Sequence, residues 1–226
     1  MNAWSLRTSR DRIYQDRHEA GRVLADRLVS YRDLPDVLVL GLARGGVPIA
    51  AEVASHLHAP LDVFVVRKLG VPQWQELAMG AVASGGGLVL NDGLVARLGI
   101  DEDTIAETIR CETAEIARRE QAYREGRPAP DLAGRTVILV DDGIATGATM
   151  LAAVRAVRAA KRVVVAVPVG PATLSSQLRD EADEVVCAST PAVFDAVGQA
   201  FVDFHQVSDD EVRRLLAQPT VGPGQD

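Results

Sequence analysis

Val137-Ile138-Leu139-Val140-Asp141-Asp142-Gly143-Ile144-Ala145-Thr146-Gly147-Ala148-Thr149 reads, in order, as a short apolar run, two adjacent carboxylates, a turn of small residues and the opening of a helix. Four consecutive apolar residues that stop at a pair of acids describe a strand buried on both faces, the kind found in parallel sheets. A turn of Gly, Ala and Thr that enters a helix points backbone N–H groups at one anion, and the helix N-terminus favours its negative charge. Thr146 and Thr149 add hydroxyl donors, so Gly143 to Thr149 form a phosphate cradle by physical criteria. The neighbouring Asp141 and Asp142 would repel a phosphate, and are expected to face a neutral polyol or a metal instead. A sugar ring that carries the phosphate meets both demands.

Working outward, the same apolar grammar recurs at Val37 to Leu40, Val63 to Val66, Val163 to Val167 and, more weakly, Val185-Val186. Helical patterns lie between these runs at Val47 to Leu57, Thr149 to Ala160 and Pro171 to Glu181, and a first amphipathic helix is expected over Arg10 to Tyr31, where Ala20, Leu24 and Leu28 fall at four-residue spacing. Strand and helix in alternation predict an α/β fold with an open, mainly parallel twisted sheet flanked by helices. Ligands in such sheets bind beyond the carboxyl ends of the strands, so the chemistry is expected just after Leu40, Val66 and Val140. Residues 69–127 break the alternation with Gly85-Gly86-Gly87 and a long charged helix from about Asp101 to Arg124, and read as an inserted flap with a mobile glycine hairpin. Val197, Phe201 and Phe204 fall on one helical stripe, followed by an acidic helix start at Ser208. The chain is thus expected to form one domain over residues 1–217, with a flexible tail at 218–226.

Composition narrows the function classes. There are 226 residues, 24 Lys and Arg against 31 Asp and Glu, a net charge of −7, with 47% hydrophobic and 24% charged residues. That is enough apolar material for a real core, and the acidic balance argues against nucleic acid as a partner. Cys111 and Cys187 have no paired spacing, so a disulfide framework or zinc site has no support and inert thiols are expected. Arg7, Arg10, Asp11 and Arg12 stand where a signal peptide would need an apolar stretch, and no uncharged run reaches transmembrane length. A cytoplasmic protein with no membrane partner is expected, as is a homo-oligomer. His18, His56, His58 and His205 show no metal spacing and read as surface residues.

Two further segments join the first. Ala43-Arg44-Gly45-Gly46 follows a strand and precedes a helix, so its glycines free backbone N–H groups while Arg44 supplies charge for a polyanion. Arg67 and Lys68 follow the second apolar run. Two cations and one nest of N–H groups suit a diphosphate. With these residues in place, the chain resembles the type I phosphoribosyltransferase family. The stretch Val137 to Thr149 resembles its phosphoribosyl pyrophosphate (PRPP) motif, Gly41 to Gly46 its pyrophosphate loop, and Arg67-Lys68 the cations after the second strand. The resemblance implies a nucleotide-metabolism transferase that moves ribose 5-phosphate from PRPP to a nitrogenous acceptor and releases pyrophosphate, with a small hood selecting the acceptor. It implies Asp141, Asp142, Lys68 and Arg44 as catalytic residues. Ala43, Gly45, Gly46, Arg67, Gly143, Ile144, Ala145, Thr146, Gly147, Ala148 and Thr149 would bind substrate. The cofactor would be Mg, with no direct protein ligand and Asp141 and Asp142 acting through water. The Leu69 to Leu90 flap would close to exclude water.

The sequence departs from the 6-oxopurine members of that family, which place an acid where Ala145 stands and often a lysine where Ala148 stands. The acceptor proton then goes to another group, with Glu76 as a candidate, or to solvent. Trp74 and Phe194 are the candidates to stack on an acceptor, while Phe201 and Phe204 read as core. Asp141-Asp142 also looks like a Walker B element, but the chain has no GxxxxGK[ST] loop, and the glycines of Gly41 to Gly46 do not fall as GxGxxG. The alternative from another class is a non-catalytic protein on the same fold that binds PRPP or a nucleotide and regulates a partner.

Overall fold

The computed structural model describes residues 13–173 and 176–218. In chain order its elements are α1 (Arg17–Arg27), β1 (Val37–Leu42), α2 (Gly46–Leu57), β2 (Leu61–Phe64), β3 (Val66–Val71), β4 (Trp74–Ala83), β5 (Leu88–Leu90), α3 (Asp92–Leu98), α4 (Glu102–Arg124), β6 (Thr136–Val140), α5 (Ala148–Ala156), β7 (Arg162–Val169), α6 (Ser176–Glu181), β8 (Glu184–Ser189) and α7 (Asp209–Leu216). Five parallel strands in the order β2-β1-β6-β7-β8 make the central sheet. Side chains alternate across it, as strand geometry requires. Val37, Val39, Ile138, Val140 and Val164 meet α1 and α2 on one face. Leu38, Leu40, Val137, Leu139 and Val165 meet α5 and α6 on the other. Burial on both faces is why these strands read as unbroken apolar runs.

Strand order also explains which helix lies where. From β1 the chain steps to β2 in one direction, and from β6 it steps to β7 and β8 in the other. Crossovers of one hand on steps of opposite direction put their helices on opposite faces, and α2 and α5 do lie on opposite faces.

Residues 66–90 form a second, antiparallel sheet in the order β3-β4-β5. The apolar run Val63 to Val66 is therefore two strands. β2 ends at Phe64, and β3 opens at Val66 after Val65 exchanges hydrogen bonds with Ser84, donating to its Oγ at 3.0 Å and accepting from its N–H at 2.8 Å. Val63 to Val65 are buried and Val66 is partly buried, and all four are apolar, so no polar residue marks the break. The glycine turn differs from the mobile hairpin expected of it. It joins β4 to β5 and docks on α5, where a Cβ on Gly87 would come within 2.6 Å of the Ala156 Cβ. The exposed end is the opposite turn, at Trp74.

Other boundaries also shift. The first helix starts at Arg17 with Asp16 as its cap, accepting from the Glu19 N–H at 2.8 Å, and a 3-10 turn at Val29–Tyr31 follows it. Of the expected Pro171 to Glu181 helix, Ser176–Glu181 is helical and residues 171–173 are not, and the Thr149 to Ala160 helix ends at Ala156. Val197 to Ala200 is a single 3-10 turn, and Phe201 and Phe204 lie beyond it in extended chain. The expected helix residues 10–12 and tail residues 219–226 lie outside the described residues, as do the terminal charges Arg7, Arg10, Asp11 and Arg12. Cys111 is exposed and Cys187 is partly buried; both are free. No helix among the described residues is long and apolar enough to cross a membrane.

The 23-residue α4 is fastened to the sheet by a buried ion pair. Arg124 donates from Nε to both carboxylate oxygens of Asp62 at 3.2 and 3.0 Å, and from Nη2 to the Val63 carbonyl at 3.0 Å. Removing one partner strands a buried charge. Arg124→Met is expected to destabilise the fold by about 3–5 kcal/mol, read as a lower denaturant midpoint, whereas Arg118→Met, at the exposed Arg118–Glu115 pair, should leave the midpoint nearly unmoved.

Candidate functional site

β1 and β6 lie side by side with Gly41 opposite Val140, so residues 43–46 and 141–149 leave the sheet from neighbouring strand ends. This pair is where the strand order reverses, and the crevice of an open α/β sheet forms at such a point. β2 ends on the other side of β1, and the Ala43 N–H donates to the Phe64 carbonyl at 2.9 Å.

The two loops are in contact. A Cβ on Gly45 would overlap Oδ2 of Asp142 and stand 2.8 Å from its Cγ, and one on Gly46 would stand 2.8 Å from the Cα of Asp141. Only residues without a side chain let the backbone of the first loop lie against the acids of the second. The Ala43–Arg44 peptide within that loop is cis.

Beyond the acids, the loop is pinned by buried Ile144, whose N–H donates to the Val169 carbonyl at 3.0 Å. Gly147, at φ +85°, turns the chain into α5. The first N–H groups of α5, at Ala148, Thr149 and Met150, have no partner four residues earlier within the helix. Thr146, Thr149 and Ala145 are exposed at the same turn. Gly143 backs onto Val197, which brings the segment after β8 against the loop.

Arg17 is the residue that sequence reading missed. It is only 7% exposed, yet its guanidinium reaches Asp142 Oδ2 from Nε at 3.2 Å and Nη2 at 2.9 Å, and the His205 carbonyl from Nη1 at 2.8 Å. It also lies 4.0 Å from the ring centre of Phe204. One signal was available: Arg17 sits three residues before Ala20 and seven before Leu24, a charge on the buried stripe of an amphipathic helix.

Burial raises the pKa of Asp141 well above the usual carboxylate range, and the adjacent Asp142 charge adds to it. Burial also raises Asp142, opposed by the hydrogen bonds and charge of Arg17. One guanidinium, bonded to Asp142, thus stands beside two carboxylates, a local deficit of positive charge.

Arg44 lies with its Nη1 3.5 Å from Asp209 Oδ1, at the start of α7. The same oxygen accepts from the buried Tyr123 hydroxyl of α4 at 2.7 Å. Arg67 and Lys68 are adjacent on β3 and so leave the strand on opposite faces. Arg67 turns to α4, with Nε 2.6 Å from Glu112 Oε2, while Lys68 is exposed opposite Ala81. Trp74 is 56% exposed at the turn between β3 and β4. Phe194 packs against the core face formed by α1 and α2. Phe201 is core, but Phe204 is 38% exposed and stacks on Phe201 at 5.0 Å between ring centres. The Glu76 side chain lies outside the described residues. The four histidines are partly or largely exposed. No group of three or more His, Cys, Asp or Glu among the described residues could hold a metal by itself.

Gly45→Ala should drive the Asp142 carboxylate out of place. The variant is expected to unfold at a lower denaturant midpoint than the wild type, by about 1 kcal/mol or more, with unchanged circular dichroism before the transition. Tyr123, pushed up to about 12 by burial and by its bond to Asp209, gives a second expectation. Its contribution to stability is complete below the ordinary tyrosine value of 10 and is lost as pH rises toward about 12. Thermal melts of Tyr123→Phe should therefore depend less steeply on pH over this window than those of the wild type.

Residues 9–204 match the family model described as phosphoribosyl transferase domain. Two curated Mycobacterium tuberculosis proteins, from strains CDC 1551 and H37Rv, are each 50% identical over 207 residues, and their names class them provisionally as phosphoribosyl transferases. The match covers 91% of this chain and 46% of theirs, so the chain spans about half the length of these curated relatives. The crystal structure of TT1426 from Thermus thermophilus is 42% identical, with a TM-score of 0.75 over 90% of this chain and 97% of that one.

Proposed function

The chain belongs to the phosphoribosyl transferase family, and from that premise we propose that it transfers the ribose 5-phosphate of PRPP to a nitrogenous acceptor, releasing pyrophosphate. One observation supports the reading: the Gly45 and Gly46 backbone lies against Asp141 and Asp142 at the strand-order reversal, which is where a diphosphate nest and a polyol-binding acid pair would have to meet. The 5-phosphate would lie on the N–H groups of residues 145–149 at the start of α5, with the Thr146 and Thr149 hydroxyls. Asp141 and Asp142 would accept from the ribose hydroxyls and stabilise positive charge as the anomeric carbon loses its leaving group. The nitrogen nucleophile forms its bond to that carbon while the carbon–oxygen bond to pyrophosphate breaks. Arg44 and the Gly45 and Gly46 N–H groups would hold the departing diphosphate, with Lys68 reaching from β3. Arg67 is committed to Glu112 and contributes by holding α4.

Magnesium fits this site. The acid pair has one guanidinium, bonded to Asp142, for two carboxylates, and hard oxygen donors with a deficit of positive charge would suit a divalent ion that keeps most of its waters. Asp141 and Asp142 would hold it through water, where it would neutralise charge on the diphosphate. The acceptor proton leaves to solvent or to Glu76. With the glycine turn docked on α5, exclusion of water would fall to the far turn of the flap, at Trp74.

The test is incubation with PRPP, magnesium and a panel of heterocyclic and amine acceptors, with released pyrophosphate as the readout. Turnover with at least one acceptor is expected, and Asp142→Asn should lower it by about 100-fold or more without unfolding the chain. Tight PRPP binding with no turnover on any acceptor would replace this reading with the regulatory one.

A further inference from the structure

We propose that Arg17 is a positioning residue for the transfer, holding Asp142 and the 201–205 segment as one unit at the mouth of the crevice. The inference rests on the reading of Asp142 as a ribose-binding carboxylate. It starts from the way residues 200–205 are attached. The Tyr14 N–H donates to the Ala200 carbonyl at 2.8 Å, the Val202 N–H to the Tyr14 carbonyl at 2.8 Å and the Asp203 N–H to the Gln15 carbonyl at 2.9 Å. This short parallel ladder lays the segment along the chain entering α1, and Arg17, the first residue of α1, continues it by donating to the His205 carbonyl at 2.8 Å. The other two nitrogens of the same guanidinium hold Asp142 Oδ2, and its plane is covered by Phe204.

A planar fork can serve two segments at once because its donors point in fixed directions. Lysine, a single point charge, could keep the ion pair with Asp142 but not both attachments. Residues far apart in sequence, Asp142 and His205, are thereby set at a fixed separation by one buried side chain. With Arg17 removed, Asp142 would lose the guanidinium that holds its Oδ2, and the segment would keep only its ladder to residues 14 and 15.

The test uses the full chain, with Arg17→Ala and Arg17→Lys measured below their melting temperatures. For a wild type that turns over, kcat/KM for PRPP is expected to fall about 100-fold in Arg17→Ala, mostly through kcat. Millimolar guanidinium should restore part of the loss, and Arg17→Lys should recover only part. In parallel, amide hydrogen exchange over residues 202–206 is expected to speed up in Arg17→Ala and in Asp142→Ala alike. Wild-type kcat/KM in a folded Arg17→Ala would overturn the proposal, as would unchanged exchange in both alanine variants. If Arg17→Ala does not fold, Arg17→Lys decides, with full wild-type kcat/KM counting against the proposal. If the wild type releases no pyrophosphate, the proposed transfer fails separately. The exchange arm then decides the coupling: faster exchange in both variants keeps it, and unchanged exchange in both removes it.

Discussion

The in-register pairing of β1 with β6 is the contact on which the crevice depends. Both strands run the same way, so their carboxyl ends open on one edge of the sheet, and the chain departs from this pair in opposite directions. That divergence leaves a gap that no crossover fills. A slip of β1 by one residue against β6 would turn Leu38 and Leu40 toward the wrong layer of helices, and would carry the Gly45 backbone away from Asp142. The core and the site are therefore set by the same ladder.

Both arginines of the crevice are engaged before any ligand arrives. Arg17 is engaged by Asp142 and Arg44 by Asp209. A polyanion that takes Arg44 has to outcompete a carboxylate already in place, and a polyol that takes Asp142 has to share it with a guanidinium. Affinity at such a site is a difference between two sets of polar contacts, so it can be modest even where many donors converge.

Much of the central sheet was legible because doubly covered strands leave long apolar runs, and because the phosphate loop packs its signature into thirteen neighbouring residues. The break inside Val63 to Val66 was not, since burial on both sides of a sheet change leaves no polar mark. Arg67 and Lys68 read as a pair in sequence, yet strand geometry sends adjacent side chains to opposite faces. Phe204 shared a helical spacing with Val197 and Phe201, but the segment is held by pairing with residues 14 and 15, a long-range contact that local periodicity does not encode. Arg17 stands 125 residues before Asp142, and Asp209 lies farther still from Arg44 along the chain, so only folding brings them to the site. The α3 helix was readable from its Asn91 cap and Gly99 end, signals that the inserted-flap reading passed over.

The docked glycine turn has a mechanical consequence. Gly87 bears on Ala152 and Ala156, in the middle and last turn of α5, and the first turn of that helix follows directly on the loop of residues 141–147. The small sheet and that loop thus hang on one rod. Bending of the small sheet about its glycine base would load α5 directly, and stiffening of the loop at one end of the rod would brace the glycine base at the other.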